Sequence, residues 1–231
     1  MIIYKEFDWT EKRHWEWGES DKGLYRVIDQ VDDINTIMEF VPADRRGVCV
    51  QAGAANGIWP ARFNTFFDHV FTFEPYRENF NRACINLGMG HIDFSQRIYS
   101  VTTSAGVTIY HAGLGAHRHY ADFIPDPEND GAGYIGEAAY TQPTDVNVEI
   151  DCVDSLGLEE CGLIQLDIEG MELQALVGAA ETIDRCRPVI VLEEKPLKHL
   201  QGKPEAPREW LQSKFGYNVV ERVNRDVILT C

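Results

Sequence analysis

Four short apolar runs set the rhythm of the chain: Val48 to Val50, His69 to Phe73, Leu163 to Leu166 and Val189 to Leu192. Runs of that length with little polar alternation predict strands buried on both faces, as in a parallel sheet. Helical spacing fills the intervals. Leu24 to Phe40 carries Val27, Ile28, Val31, Ile34, Ile37 and Met38 on one face and is stopped by Pro42. Further helices are predicted over Trp59 to Phe67, with Pro60 in the first turn, and over Tyr76 to Leu87, Met171 to Ile183 and Pro207 to Phe215. Ile92 to Ile98 predicts the third strand, and Val107 to His111 a strand at the sheet edge beyond it. Val146 to Ile150 alternates and predicts a partner for Val107 to His111. Tyr217 to Glu221 and Asp226 to Leu229, turning at Asn224, predict a closing antiparallel hairpin. The sum is an α/β fold: a mainly parallel sheet with helices on both faces.

Two stretches fall outside this rhythm. Met1 to Gly23 holds Trp9, His14, Trp15 and Trp17 without a period, and is expected, with the helix up to residue 46, to pack as an aromatic arm on a main body spanning 47–231. Gly113 to Pro143 contains His117, His119, several glycines and prolines and the acidic run Asp126 to Asp130. No secondary-structure period is legible there. A connection of such length is functional or disordered, and Tyr120, Phe123, Tyr134 and Tyr140 argue against disorder. It is expected to fold as a lid over the strand ends, with His119 or His117 as a base near neutral pH.

The candidate chemistry gathers after the first strand. Gln51-Ala52-Gly53-Ala54-Ala55-Asn56-Gly57 ends a buried strand and opens a helix, and Glu74-Pro75 ends the next strand about twenty residues on. A glycine turn followed by an acid suited to ribose hydroxyls points to a nucleoside-containing cofactor. The dinucleotide fingerprint fails, because Ala55 and Ile58 stand where it requires glycine. S-adenosylmethionine, which has no phosphate, tolerates the looser turn. In such sheets ligands bind beyond the carboxyl ends of the strands. Gly53 to Gly57, Glu74, Gln96-Arg97, Asp167 to Glu169 and Glu193 all fall there.

Composition narrows the partners. A formal net charge of −16 over 231 residues repels phosphate backbones, so nucleic acid and anionic membranes are not expected to bind. The six cysteines have no CxxC spacing, and no basic-then-apolar leader or membrane-length run is present, so a reducing, cytoplasmic setting is expected.

On these residues the chain resembles the FkbM family of S-adenosylmethionine-dependent methyltransferases, from about Gly47 to Glu194. Gly53-Ala-Ala-Asn56-Gly57 is similar to the family's Asp-x-Gly-Ala-x-x-Gly turn, and Phe73-Glu74-Pro75 with Asn79-Phe80 to its Glu-Pro-x-x-x-Asn-Phe segment. Val153-Asp154-Ser155-Leu156 resembles its Leu-Asp-x-Leu step, and Asp167-Ile-Glu169-Gly170-Met-Glu172 its Lys-x-Asp-x-Glu-Gly-x-Glu signature. Pro188 with Glu193 resembles its final strand. The resemblance implies a Rossmann-like, seven-stranded class I methyltransferase sheet and O-methylation of a hydroxyl on a sugar or small natural product. Gln51 and Gln165 depart from it, standing where the family usually has aspartate and lysine.

The cofactor is expected to meet Gln51, Gly53, Ala54, Asn56, Gly57, Glu74, Pro75, Asn79, Gln96, Arg97 and Asp167. The base is sought among Asp167, Glu169, Glu193, His111, His117 and His119. The acids could instead hold a divalent cation, though a lysine or a proton would relieve their repulsion equally well, and no metal is assigned. The competing function is a non-catalytic binding module that acts through the 113–143 segment or the aromatic arm.

Overall fold

A computed structural model describes residues 16, 33–95, 98–126, 133–142, 147–196 and 204–231. The tryptophan arm (Glu16 aside), the first turns of the Leu24 to Phe40 helix, Gln96 and Arg97 lie outside the described residues. Helix α1 covers Ile34–Phe40. The core alternation follows: β1 (Val48–Ala52), α2 (Ile58–Phe63), β2 (His69–Phe73), α3 (Arg77–Asn86), β3 (Ser100–Thr102) and β4 (Val107–Tyr110). A second group comprises β5 (Ala112–Leu114), β6 (His119–Ile124), β7 (Tyr134–Tyr140) and β8 (Asn147–Asp151). The chain then continues through β9 (Leu163–Leu166), α4 (Glu172–Val177), α5 (Ala180–Cys186), β10 (Val189–Glu193), α6 (Ala206–Phe215), β11 (Asn218–Val223) and β12 (Asp226–Thr230).

The main sheet has eight strands in the order β11-β12-β10-β9-β1-β2-β4-β3. Its five central strands are parallel, with Val50 opposite Phe71 on one side and Ile164 on the other. The terminal hairpin adds β12 and β11 antiparallel, turning at Asn224 with φ 55°. Val50, Ala52, Ile164, Leu166, Ile190 and Leu192 point into one apolar layer with Leu176, Ile183 and Leu211 from the later helices. Cys49, Leu163, Val189, Val191 and Ile228 point into the opposite layer, with Ile34, Ile37, Met38, Trp59 and Phe63. All six cysteines are free. No helix among the described residues is long and apolar enough to cross a membrane.

Several sequence expectations need correction. Ile92 to Ile98 is not the third strand. Ile92, Phe94 and Ile98 instead pack against Phe80, Ala83 and Cys84 as cover for α3. The place beside β2 is taken by β4, which is therefore interior, and β3 runs antiparallel along its outer side as the edge. The stretch 113–143 is not without regular structure. Its described residues supply β6, β7 and most of β5, and with β8 these form a second sheet in the order β5-β8-β6-β7. Strand β8 accordingly pairs with β5 and β6 rather than with β4. The single helix expected over Met171 to Ile183 is two, broken at Gly178-Ala179, where the Gly178 backbone abuts the Gly115 carbonyl so closely that a Cβ would overlap it.

Candidate active site

The glycine turn is held shut from within. Gly53 and Ala54 both donate to the Phe73 carbonyl, at 3.1 and 3.2 Å, and Gly57 donates to Ala54 at 2.7 Å. The fourth amide, Ala55, donates to Glu74 Oε2 at 2.8 Å. Gly53 takes φ +88°, and a Cβ there would overlap the Asp167 carbonyl oxygen. The loops after β1 and β9 therefore touch, which only glycine permits. Asn56 lends its carbonyl to the Asn86 side chain at 2.9 Å, and Asn86 also exchanges two hydrogen bonds with the Glu16 main chain.

Glu74 is buried at the end of β2. Besides Ala55 it accepts from Tyr76 N–H at 2.9 Å, at the start of α3, and it shares a hydrogen bond with the Asn79 side chain. Burial pushes its carboxyl up to about 7, against the pull of these donors. Glu74 thus both caps α3 and clasps the glycine turn. Pro75 is half-buried beside it, and Asn79 is buried and also accepts from Arg82 at 2.9 Å.

Gln51 is fully buried one row below this rim; its amide donates to the Gly53 carbonyl at 3.1 Å, and its carbonyl accepts from the Thr72 hydroxyl.

The acids converge where β9 and β10 end. Asp167, Glu169 and Glu193 bring one carboxylate oxygen each within 4.8 Å of one another. Glu169 holds φ 52° and Gly170 φ 102°, so the chain turns sharply between Asp167 and Met171. Glu172 folds back to accept from Ile168 at 3.1 Å and Gly170 at 3.3 Å, which fixes that turn. Lys195, which the sequence reading missed, lies among the three acids: its Nζ is 2.7 Å from Glu169, 2.5 Å from Glu193 and 3.9 Å from Asp167. Burial favours its neutral amine, but the carboxylates outweigh that and raise its pKa, so Lys195 is a fixed cation. Burial and the Glu193 charge push Asp167 well above the usual carboxylate range. Asp226, opposite Glu193 across the β10–β12 pair, is pushed up to about 7 by burial and by Glu193 and Asp33.

The histidines sit apart. His119 begins β6, its Nδ1 lies 2.9 Å from the His117 carbonyl, and the two rings are 5.0 Å apart. Its ring borders Gly115, as does Met171 from the turn after β9. His111 lies between β4 and β5, against the Phe80 and Phe94 rings. The second sheet also reaches the end of β2, where Phe123 stacks on Tyr76.

Residues 51–219 match the methyltransferase FkbM domain family. The chain is similar in structure to an FkbM methyltransferase from Methylobacillus flagellatus, at 18% identity and a TM-score of 0.50, covering 95% of this chain and 56% of that one. That likeness shows the fold alone, and this chain spans little more than half the length of that relative. An rRNA methylase from Streptococcus thermophilus matches at 13% identity and a TM-score of 0.44, over 85% of this chain and 92% of that one. Magnesium protoporphyrin IX methyltransferase from Synechocystis PCC 6803, solved with bound S-adenosylmethionine, matches at 12% and 0.44, over 95% and 87%. No curated protein matches the chain.

Proposed function

The chain belongs to the methyltransferase FkbM domain family, and on that premise we propose that it is an S-adenosylmethionine-dependent O-methyltransferase of a neutral hydroxyl on a sugar or small natural-product acceptor. The observation that carries the cofactor class is the state of the turn after β1. Four of its amides are consumed by Phe73, Ala54 and Glu74, so it offers no ring of free donors for a pyrophosphate. It does offer close backbone approach at Gly53 and Ala54, and a buried carboxyl at Glu74 that keeps one lone pair for a ribose hydroxyl beyond those taken by Ala55, Tyr76 and Asn79.

Bound there, S-adenosylmethionine would supply a methyl group already activated on a sulfonium. The chain's own residues would then align and desolvate the acceptor and take up its proton. Asp167, whose backbone meets the glycine turn at Gly53, is the residue to which we assign the proton. Lys195 holds Glu169 and Glu193 in place around it. The second sheet, bordering the strand ends at Phe123 and Gly115, is the surface on which we seat the acceptor, with His119 as the alternative base.

Side-by-side calorimetry with S-adenosylhomocysteine and NAD tests the cofactor class, and tight NAD binding without a S-adenosylhomocysteine signal would overturn it. Release of S-adenosylhomocysteine over a panel of sugars and polyols tests the acceptor class. Cofactor binding with no turnover across that panel, and a partner captured by the second sheet, would favour the non-catalytic reading.

A further inference from the structure

We propose that Phe123, carried by the second sheet, is a positioning residue of the nucleoside site: it holds the Tyr76 ring as the wall against which a purine base stacks. This rests on Glu74 being the ribose partner, as argued above. Tyr76 is tied to that acid by its own main chain, since its N–H donates to Glu74 Oε1 at 2.9 Å. Its ring lies nearly parallel to Phe123, with centroids 5.2 Å apart and planes 17° from one another. That is a stacked aromatic pair of favourable geometry.

Nothing in the core demands this pair. Among the described residues, neither Tyr76 nor Phe123 belongs to the three apolar clusters that fill the molecule. Phe123 is nevertheless aimed. The β6–β7 register slips between Ala121 and Phe123, and such an irregularity redirects the side chain beyond it. At the tip of the ring, Gly133 approaches so closely that a Cβ would overlap Phe123 Cζ. With Gly133 at its tip and Tyr76 against its face, the Phe123 ring has little freedom. Tyr76 sits two residues from the acid assigned to the ribose, beside where the attached base would lie. The second sheet would thereby report on cofactor occupancy, and the acceptor surface would be completed only when the purine is in place.

The test uses the full chain with Phe123→Leu and Phe123→Trp, and two probes: S-adenosylhomocysteine and methylthioadenosine, its nucleoside half. Phe123→Leu keeps the bulk but not the stack, and should weaken both probes by the same factor, about five- to tenfold. Phe123→Trp, whose second ring has no room beside Gly133, should not restore affinity. Unliganded Phe123→Leu should remain folded, its denaturation midpoint lowered only by the loss of one stacked pair. In turnover, the KM for the methyl donor should rise. Either probe should slow hydrogen exchange across β6 in the wild type but not in Phe123→Leu. Wild-type affinity in Phe123→Leu, or β6 exchange indifferent to the probes, would overturn the proposal. A wild-type chain that binds neither probe would instead remove the ribose reading on which it stands.

Discussion

Gln51 and Gln165 stand opposite one another in the β1–β9 register, both fully buried, yet among the described residues only Gln51 has its amide satisfied. The two positions at which the sequence departs from the family pattern are thus neighbours, and between them they form an uncharged pair. An unsatisfied buried amide costs stability, while an apolar isostere restores it. Gln165→Met should therefore stabilise the fold by about 1 kcal/mol. Gln51→Met, which strands the Thr72 hydroxyl and the Gly53 carbonyl, should cost about 1–3 kcal/mol. Equilibrium denaturation of the two variants checks the opposite signs.

Glu74 makes cofactor binding depend on pH in a defined direction. Its carboxyl titrates at about 7 in the free protein, raised by burial. Ribose hydroxyls donate hydrogen bonds and so favour the ionised form. Binding should then release a proton, and affinity for S-adenosylhomocysteine should rise from pH 6 to pH 8. Fold stability runs the other way. A carboxyl whose folded pKa lies above its unfolded value contributes stability at low pH that is lost as pH climbs through the window from about 4.5 to about 7. Glu74→Gln should flatten both profiles. Calorimetry in buffers of different ionisation enthalpy reads the proton directly, and no released proton would remove Glu74 from the ribose.

Lys195 neutralises an acid cluster that cannot tolerate its loss. Lys195→Met should destabilise the fold at pH 8 by about 1–3 kcal/mol, less than a fully buried pair because the lysine keeps some exposure. The deficit should shrink as pH falls and Asp167 and Asp226, both already raised, take up protons. Calcium should raise the melting temperature of Lys195→Met more than that of the wild type, because three carboxylates then converge without a resident cation. Thermal melts with and without calcium, at two pH values, decide it.

Gly53→Ala should cost at least about 2 kcal/mol and abolish cofactor binding, since the side chain would combine a left-handed backbone with an overlap on the Asp167 carbonyl. Gly88→Ala, with a similar φ of +82° but open space around it, should cost only about 1 kcal/mol and leave binding intact. Parallel denaturation and calorimetry separate the two.

The sequence made the parallel core legible because four of its five strands are short apolar runs that end in chemistry: Gly53, Glu74, Asp167 and Glu193. The alternation of Ile92, Phe94 and Ile98 misled, because it covers the apolar face of α3 rather than pairing in the sheet. The second sheet was hidden for a different reason. Strand β5 has only three residues, and β6 is partly exposed and pairs with β7 in an irregular register, so alternation blurs and the glycines and prolines read as loop. Lys195 gave no pattern at all: a lysine just past a strand end looks like solvated surface until the fold brings three acids around it.

One residue, His111, separates the end of β4 at Tyr110 from the start of β5 at Ala112. That short link ties the second sheet to the first. Strands β6 and β7 are near in sequence and pair antiparallel, a local event. Strands β5 and β8 pair parallel, Ala112 with Glu149, and must close a long intervening chain. Where β4 seats beside β2 fixes where β5 begins. The second sheet therefore inherits its position from the very strand that completes the parallel core.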